Sequence, residues 1–147
     1  MTVSEKVALV QHYYDSVWEQ GHFAVDDELI SPDEVYHQHS VHGRGGPEWD
    51  KEAARRFRAN FRDLHITLEL TVEEGELLAV LWRIEGTHVA TGKAIREYTG
   101  VNIFRIVNGR IAEVWNTRDD LGLYAQVGVI PPRSGLAAQV FSKSPEQ

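Results

Sequence analysis

One segment of the chain combines a hairpin turn, a strand and a helix start, and it reads Asn108-Gly-Arg-Ile-Ala-Glu-Val-Trp115-Asn-Thr-Arg-Asp119-Asp120-Leu-Gly-Leu-Tyr-Ala-Gln-Val-Gly128. The Asn-Gly pair is a strong signal for a tight β-hairpin turn, because both central residues of that turn need positive φ. An extended strand would then place residues of one parity on one face. These are Ile111, Glu113, Trp115, Thr117 and Asp119.

Asp119 ends this predicted strand, next to a Trp-bearing face and ahead of a short apolar run that stops at Gly128. An acid in such a place is a candidate general acid or base. The same acid can instead cap the next helix, because a strand-end Asp accepts a backbone N–H bond from the first helical turn. The sequence leaves both interpretations open.

Three more strands are predicted before the Asn108-Gly109 turn. Leu64, Ile66, Leu68, Leu70 and Val72 alternate with polar residues, which indicates a half-buried strand. Leu78, Val80, Trp82 and Ile84 alternate in the same way in a strand that extends towards His88. Another strand covers 95–107, with Gly100 as a bulge or bend. Turns at 74–75 and 91–92 join these strands, so an antiparallel arrangement follows.

The N-terminal half has a helical period instead. Residues 4–20 form one predicted helix, with Ser4 as its N-cap and Gly21 as its end, and residues 23–30 form a second, shorter one. Residues 35–39 read as a short strand and 43–47 as a loop. Trp49, Ala53, Phe57 and Phe61 recur every fourth residue and predict a third helix over 47–61, with Pro47 in its first turn.

Helices followed by long strands indicate an α+β fold in which a curved antiparallel sheet wraps around the N-terminal helices and encloses a cone-shaped pocket. The 147 residues are read as a single domain, with 130–147 as a flexible tail that holds one amphipathic turn. The sheet is expected to pack on the helix over 4–20. No internal repeat or linker interrupts this pattern.

The composition narrows the function. A net charge of −7 without a strong basic cluster argues against nucleic acid as a partner. The absence of cysteine excludes disulfides, thiolate nucleophiles and cysteine metal sites. The start of the chain has no signal-like apolar segment and no run of 18 apolar residues follows, so a cytoplasmic protein with no membrane partner is expected.

Several short motifs occur in a fixed order from Phe61 to Gly128. They are Phe61-Arg-Asp63-Leu64, Gly86-Thr87-His88, Thr91-Gly92-Lys93, Phe104-Arg105-Ile106 with Asn108-Gly109, Glu113-Val-Trp115, Asp119-Asp-Leu-Gly-Leu and Gln126-Val-Gly128. The ordered set resembles the SnoaL-like polyketide cyclases of the NTF2-like superfamily. Two departures stand out: only Val89 and Ala90 separate the second and third motifs, where the family has a longer Gly/Pro-rich segment, and Arg62 replaces the family's proline.

The resemblance implies a cofactor-free enzyme in which an acid after the Trp strand, here Asp119, transfers protons during an intramolecular aldol closure of a polyketide-like substrate. His88 and His39 are further candidate catalytic residues by position. Tyr14, Trp82, Asn102, Phe104 and Trp115 are candidate substrate-binding residues, because aromatic faces stack on flat ligands. Each also has a structural interpretation, with the Trp and Phe side chains as core and His88 as a hairpin residue.

His37, His39 and His42 suggest a metal site, but no further acid or His at a suitable spacing completes a ligand set, so no metal is predicted. Two alternatives to the cyclase remain. One is a related pocket enzyme, such as an epoxide hydrolase, dehydratase or isomerase, since a fold does not fix its chemistry. The other is a non-catalytic protein that binds a small molecule. A homo-oligomer, a dimer or tetramer, is expected by analogy.

Overall fold

A six-stranded sheet carries the fold in the computed structural model, which describes residues 3–39, 41–143 and 145. The strands are β1 (Ile30–Gln38), β2 (Val41–Arg44), β3 (Phe61–Glu74), β4 (Leu77–His88), β5 (Ala94–Val107) and β6 (Arg110–Arg118). Their order across the sheet is β2-β1-β6-β5-β4-β3. The α+β class, the curved sheet and the four long antiparallel strands β3–β6 are confirmed.

The helices lie before, between and after these strands. They are α1 (Glu5–Tyr13), α2 (Asp26–Leu29), α3 (Pro47–Asn60), α4 (Asp120–Gln126) and α5 (Arg133–Val140). Ser4 caps α1 as predicted, because its side chain accepts a hydrogen bond from the Val7 amide at 3.0 Å. The helix continues as a π-helix over Tyr14–Glu19, and a 3₁₀ turn over Phe23–Val25 leads into α2. Pro47 starts α3 as predicted.

The N-terminal strands differ from the prediction. β1 begins at Ile30, the last residue of the predicted second helix, and so starts before the strand predicted over 35–39; β2 occupies part of the predicted loop. β1 pairs with β2 in the antiparallel sense but with β6 in parallel, so one pair in the sheet departs from the antiparallel pattern. This parallel pairing places β1 next to β6 within the sheet, so side chains of β1 can reach the concave face. Residues of β1 thereby become part of the candidate site.

The core lies between the concave face of the sheet and the helices. Leu78, Val80, Trp82 and Ile84 are all buried on that face, as their alternation predicts. The alternation in β3 is interrupted, because the register of β3 against β4 shifts between Leu68 and Leu70. Leu70 and Val72 therefore lie exposed instead of sharing the buried face of Ile66, which corrects the prediction for this strand.

Gly100 lies in regular pairing with Trp82 and Arg118 on the neighbouring strands, and the register does not shift there. A side chain at this position would overlap the Trp82 ring and the Thr117 carbonyl. Close packing, rather than the predicted bulge, therefore explains this glycine.

The C-terminal segment forms a regular helix, α5, where a single amphipathic turn was predicted. None of its residues is buried. Among all the helices in the described ranges, none combines the length and the apolar character that a membrane span requires.

Candidate active site

A cavity of about 640 Å³ opens between the helices and the concave face of the sheet. Its volume falls within the range typical of small-molecule sites. Aromatic side chains form much of its wall, and three carboxylates reach it. The lining includes Tyr13, Tyr14, Trp18, Glu34, Tyr36, Trp49, Asp50, Phe57, Trp82, His88, Tyr98, Asn102, Phe104, Asn116, Arg118 and Asp120.

Five of the predicted site residues line this cavity. Trp82 and Phe104 are buried in its wall, as are Tyr14 and Asn102. His88 lies at the end of β4, and its Nδ1 is 2.9 Å from the Thr91 hydroxyl. His88 is therefore both a hydrogen-bonded hairpin residue and part of the cavity wall.

Asp119 does not reach the cavity. It is the N-cap of α4, where its Oδ1 accepts a hydrogen bond from the Gly122 amide at 3.0 Å, and its Oδ2 pairs with Arg133. Capping, the alternative interpretation, is what the geometry of this carboxylate provides. Of the two interpretations that the sequence left open, the position of Asp119 outside the cavity lining favours capping.

A register shift in β6 explains why Asp119 lies outside the cavity. Ile106 pairs with Ile111 and Arg105 pairs with Glu113, so the two strands are out of step by one residue between these pairs. A bulge of this kind reverses the faces for every residue that follows. Ile111 points inward, and so do Val114 and Asn116. The inward side chains of β6 beyond the shift thus include an amide rather than a carboxylate.

Trp115 and His39 are also outside the cavity wall. Trp115 is 37% exposed on the convex face, where its ring stacks on His37 at 5.3 Å. His39 lies in the turn after β1 with a positive φ of 52°, and its Nε2 is 3.8 Å from Oδ2 of Asp120. The structure therefore brings His39 near the cavity acid that follows Asp119 rather than into the cavity.

Two of the three histidines singled out as a metal candidate, His37 and His42, form a hydrogen-bonded pair. Nδ1 of His37 is 2.8 Å from Nδ1 of His42, and its Nε2 is 2.7 Å from the Glu113 carboxylate. Both ring nitrogens of His37 are thus occupied by protein groups. Within the described ranges, no cluster of three or more His, Asp or Glu side chains suits a metal ion. That the chain binds no metal stays a prediction.

At one side of the cavity an acid lies beside a base. Oδ1 of Asp120 accepts hydrogen bonds from the Tyr98 hydroxyl at 2.7 Å and from Nε of Arg118 at 3.0 Å. Burial raises the pKa of Tyr98 far above its usual value, so this hydroxyl remains a donor. The guanidinium balances the charge of Asp120, and this part of the wall is electrostatically neutral.

Glu34 is a cavity acid for which the described residues provide no such partner. It is 3% exposed, its Oε1 accepts a hydrogen bond from the Gly46 amide at 3.2 Å, and its carbonyl accepts one from Gly45 at 2.8 Å. A side chain at Gly45 would overlap the Glu34 carboxylate. Burial raises the pKa of Glu34 to about 7. The hydrogen bond from Gly46 lowers this pKa, and the charge of Asp50 raises it.

Two aspartates lie next to Glu34. Asp50, from α3, accepts a hydrogen bond from the Tyr13 hydroxyl at 2.8 Å, and that hydroxyl accepts one from Nε1 of Trp18 at 2.8 Å. Asp26, from α2, is completely buried behind it. Burial raises the pKa of Asp26 to about 9, and the neighbouring Asp50 contributes. Burial also raises the pKa of Asp50, although hydrogen bonds from Asp26, Tyr13 and Trp18 oppose that rise.

The amides at the centre of the wall have fixed orientations. The indole N–H of Trp82 can only donate, so the atom of Asn102 that lies 3.0 Å from it is the carbonyl oxygen. The same oxygen accepts a hydrogen bond from Nδ2 of Asn116. Nδ2 of Asn102 is thereby left without a protein acceptor in the part of the chain that the structure describes, and it can donate to a ligand.

Sequence reasoning missed Asp26, Glu34 and Asp50. They come from a short helix, the part of β1 that precedes the predicted strand, and the first turn of α3. Nothing in the local pattern distinguishes them from surface acids. One weak signal was present, since Asp50 follows Trp49 on the apolar side of the predicted helix.

Comparisons with known proteins identify the family. A model of the SnoaL-like polyketide cyclases matches residues 8–127. The chain belongs to this family. The match covers most of the two-layer fold and both the α1 and β6 walls of the cavity, and the resemblance carried by the ordered motifs is confirmed. None of the curated proteins matches the chain.

Several solved structures share this fold. TsrD from Streptomyces laurentii is 25% identical with a TM-score of 0.75, and the alignment covers 88% of this chain and 99% of TsrD. IdmH from Streptomyces antibioticus, a candidate polyketide cyclase, is 27% identical with a TM-score of 0.73 over 85% of this chain and 99% of IdmH. A candidate polyketide cyclase from Bacillus cereus is 26% identical with a TM-score of 0.75 over 86% and 82%.

Proposed function

We propose that this SnoaL-like protein is a cofactor-independent cyclase that closes a ring in a polyketide-like small molecule by an intramolecular aldol reaction. Glu34, rather than Asp119, is the general base of this proposal. One observation carries it: a desolvated carboxylate with a pKa of about 7 lines a largely aromatic cavity and has no cationic partner in the described ranges. A pKa near the working pH is the property that general acid–base catalysis requires.

The first step is removal of a proton from the carbon next to a carbonyl. Oε1 of Glu34 is anchored by Gly46, while Oε2 has no hydrogen-bond partner among the described residues and is not sealed from the cavity. Oε2 would take the proton, and the bonding electrons of the C–H bond would move into an enolate. Anchoring one oxygen fixes the direction in which the other points.

The enolate oxygen needs hydrogen-bond donors. Nδ2 of Asn102 is held in a donating orientation by Trp82, and the Tyr14 hydroxyl is buried without a partner in the described part of the chain. Burial raises the pKa of Tyr14 well above its usual value, so this hydroxyl stays protonated and can donate. Preorganised donors of this kind stabilise developing negative charge.

The aromatic wall favours flat substrates. Trp82, Phe104 and Tyr98 offer ring faces and edges, with Trp82 and Tyr98 packed edge to face at 5.3 Å. Apolar rings also keep water away from the enolate. His88 also lines the cavity, and its candidate catalytic role is part of the proposal.

The expected homo-oligomer is a proposal as well. One row of paired residues crosses β3 to β6 and consists of Val72, Ala79, Ile103 and Trp115. Three of them, Val72, Ile103 and Trp115, are exposed on the convex face. Exposed apolar side chains in a row are typical of a surface that a second protein covers. Light scattering of the purified protein will show whether a dimer forms.

The experiment uses a phenyl-substituted 1,5-diketone. When one carbonyl is enolised it closes to a hydroxycyclohexanone, which gives a cyclohexenone on loss of water. The protein is expected to accelerate both α-deuterium exchange in D₂O and ring closure above the buffer rate. Glu34→Gln is expected to lower the exchange rate about a hundredfold or more, because an amide cannot accept the proton. Exchange at the parent rate in Glu34→Gln would overturn the role of Glu34. Exchange without closure would favour an isomerase.

A further inference from the structure

Three buried carboxylate oxygens have no hydrogen-bond donor in the described ranges. They are both oxygens of Asp26 and Oδ2 of Asp50, and Asp26 is completely buried. Lys51, which follows Asp50, is engaged by Asp27 at 2.7 Å and Glu48 at 2.8 Å. Two ionised carboxylates in such a place would repel each other and would each lack solvation, which costs several kcal/mol.

One proton resolves this arrangement. The side chains of Asp26 and Asp50 lie within hydrogen-bonding reach of each other. If one of the two carboxyl groups is protonated, its O–H can donate to an oxygen of the other. A pair of adjacent carboxyl groups commonly holds one proton in this way. The unpaired oxygens are therefore a sign that the pair carries a single negative charge.

A chain of hydrogen bonds leads to the member of the pair that lines the cavity. Nε1 of Trp18 donates to the Tyr13 hydroxyl, and the Tyr13 hydroxyl donates to Oδ1 of Asp50. Asp50 lines the cavity, whereas Asp26 does not. Both members of the pair are buried, and Asp50 is the one that belongs to the cavity wall.

We propose that Asp50 is a second catalytic residue, the general acid that protonates the alkoxide formed on ring closure. We assign Asp26 as a positioning residue that keeps the transferable proton on the pair. This inference rests on the proposed function, because it supplies the acid that complements Glu34 as the base.

The step is balanced in atoms and electrons. The enolate carbon attacks the second carbonyl, a C–C bond forms, and the π electrons of that carbonyl become the alkoxide. The O–H bond of protonated Asp50 breaks, and its proton goes to the alkoxide. Glu34 then holds the proton taken from carbon, the Asp26–Asp50 pair is short of one proton, and exchange with solvent through the open cavity restores both. No oxidant or reductant takes part.

An independent feature points to a ligand oxygen at this wall. Tyr14 is 5% exposed, lines the same cavity and has a hydroxyl without a partner in the described ranges. It does not belong to the carboxyl pair or to its hydrogen-bond chain. When the enolate oxygen becomes a carbonyl again, the single O–H of Tyr14 is free to donate to the new alkoxide, which Asp50 then protonates.

The charged and titratable groups around the pair set its pH dependence. Asp26 is affected by Asp50 and Glu34, which favour its protonated form, and by Lys51, which opposes it. Asp50 faces Asp26 and Tyr13. Replacing Asp50 removes negative charge near Glu34, so the pKa of Glu34 falls and exchange should persist to lower pH.

The test measures exchange and closure separately with the same phenyl-substituted 1,5-diketone. Asp50→Asn and Asp26→Asn are expected to lower closure about a hundredfold while exchange stays within about fivefold of the parent. The acid limb of the exchange profile should move to lower pH in Asp50→Asn. Asp27→Asn, an exposed neighbour of Asp26, is the matched control and should retain both rates.

The outcomes separate the two proposals. Loss of closure with retained exchange supports both. Closure at the parent rate in both variants overturns the acid role and leaves Glu34 as the base. Absence of exchange in the parent overturns the proposed function and this inference with it. If the variants do not fold, carboxyl NMR of the parent decides, because the inference requires one aspartate that is still protonated at pH 7.5.

Discussion

Two groups of acids in this protein are held in opposite ways. Asp26, Glu34 and Asp50 are buried between α2, β1 and α3, and none of them forms an ion pair within the described ranges. Asp119 and Asp120, after β6, each lie beside an arginine. Asp119 also satisfies a helix N-terminus. The difference is the presence or absence of a counter-charge.

This difference decides what each group can do. A carboxylate with a guanidinium and backbone donors is stabilised as an ion and fixes local structure. A desolvated carboxylate without a cation binds a proton more tightly, and holding it in place lowers the stability of the fold. The acids suited to proton transfer are therefore those that lower the stability of the fold. Neutral substitutions should raise the free energy of unfolding in that group and lower it in the other.

The largest effect is expected for Asp26→Asn. The pKa of Asp26 is raised to about 9, so the folded protein holds a proton that the unfolded chain releases above about pH 4. Its contribution to stability is full below that pH and is lost as the pH rises towards 9. Asn carries no charge at any pH. We expect Asp26→Asn to gain about 2 kcal/mol at pH 8.5 and little at pH 4.

The measurement is urea unfolding of parent and variant across this pH range. The parent stability should fall with rising pH, and the variant curve should be flatter. Glu34 contributes in the same direction, with loss between about pH 4.5 and 7. A variant that is less stable than the parent at pH 8.5 would contradict the account of an uncompensated buried acid.

A smaller effect of opposite sign is expected at Asp119. Asp119→Ala removes the cap of α4 and should cost about 1 kcal/mol. Asp119→Asn retains an acceptor for the Gly122 amide and should lose less, with ring closure near the parent rate. Thermal unfolding and the closure assay test both. A large loss of closure in a stable Asp119→Asn would restore Asp119 as the catalytic acid and remove the contrast between the two groups.

The smallest effect is expected for chelators. His37 already has protein groups at both ring nitrogens. Treatment with a strong chelator should leave melting temperature and closure unchanged. Retention of one equivalent of zinc or iron through purification would show that this prediction is wrong.

Local sequence signals predicted the sheet well where a single turn or period sets the geometry. Asn108 and Gly109 both have positive φ, as the predicted hairpin turn requires. The alternating residues of β4 are buried as expected. These features depend on neighbouring residues, so the sequence carries them directly.

The candidate site could not be predicted to the same extent. The one-residue shift beside Ile111 is set by pairing with β5, and it moves Trp115 and Asp119 away from the cavity. The parallel pairing of β1 with β6 places Glu34 at the cavity wall. Asp26 and Asp50 meet only after two helices have packed. Each of these contacts depends on tertiary structure, which no local period encodes.

The most direct test of the account is the ionisation of Glu34 in the free protein. Carbon-detected NMR of a sample labelled at the glutamate carboxyl groups follows each titration, and Glu34→Gln assigns the signal. We expect Glu34 to titrate with a pKa of about 7. Titration of Glu34 between about pH 4 and 5, the range of a glutamate in a model peptide, would contradict this assignment.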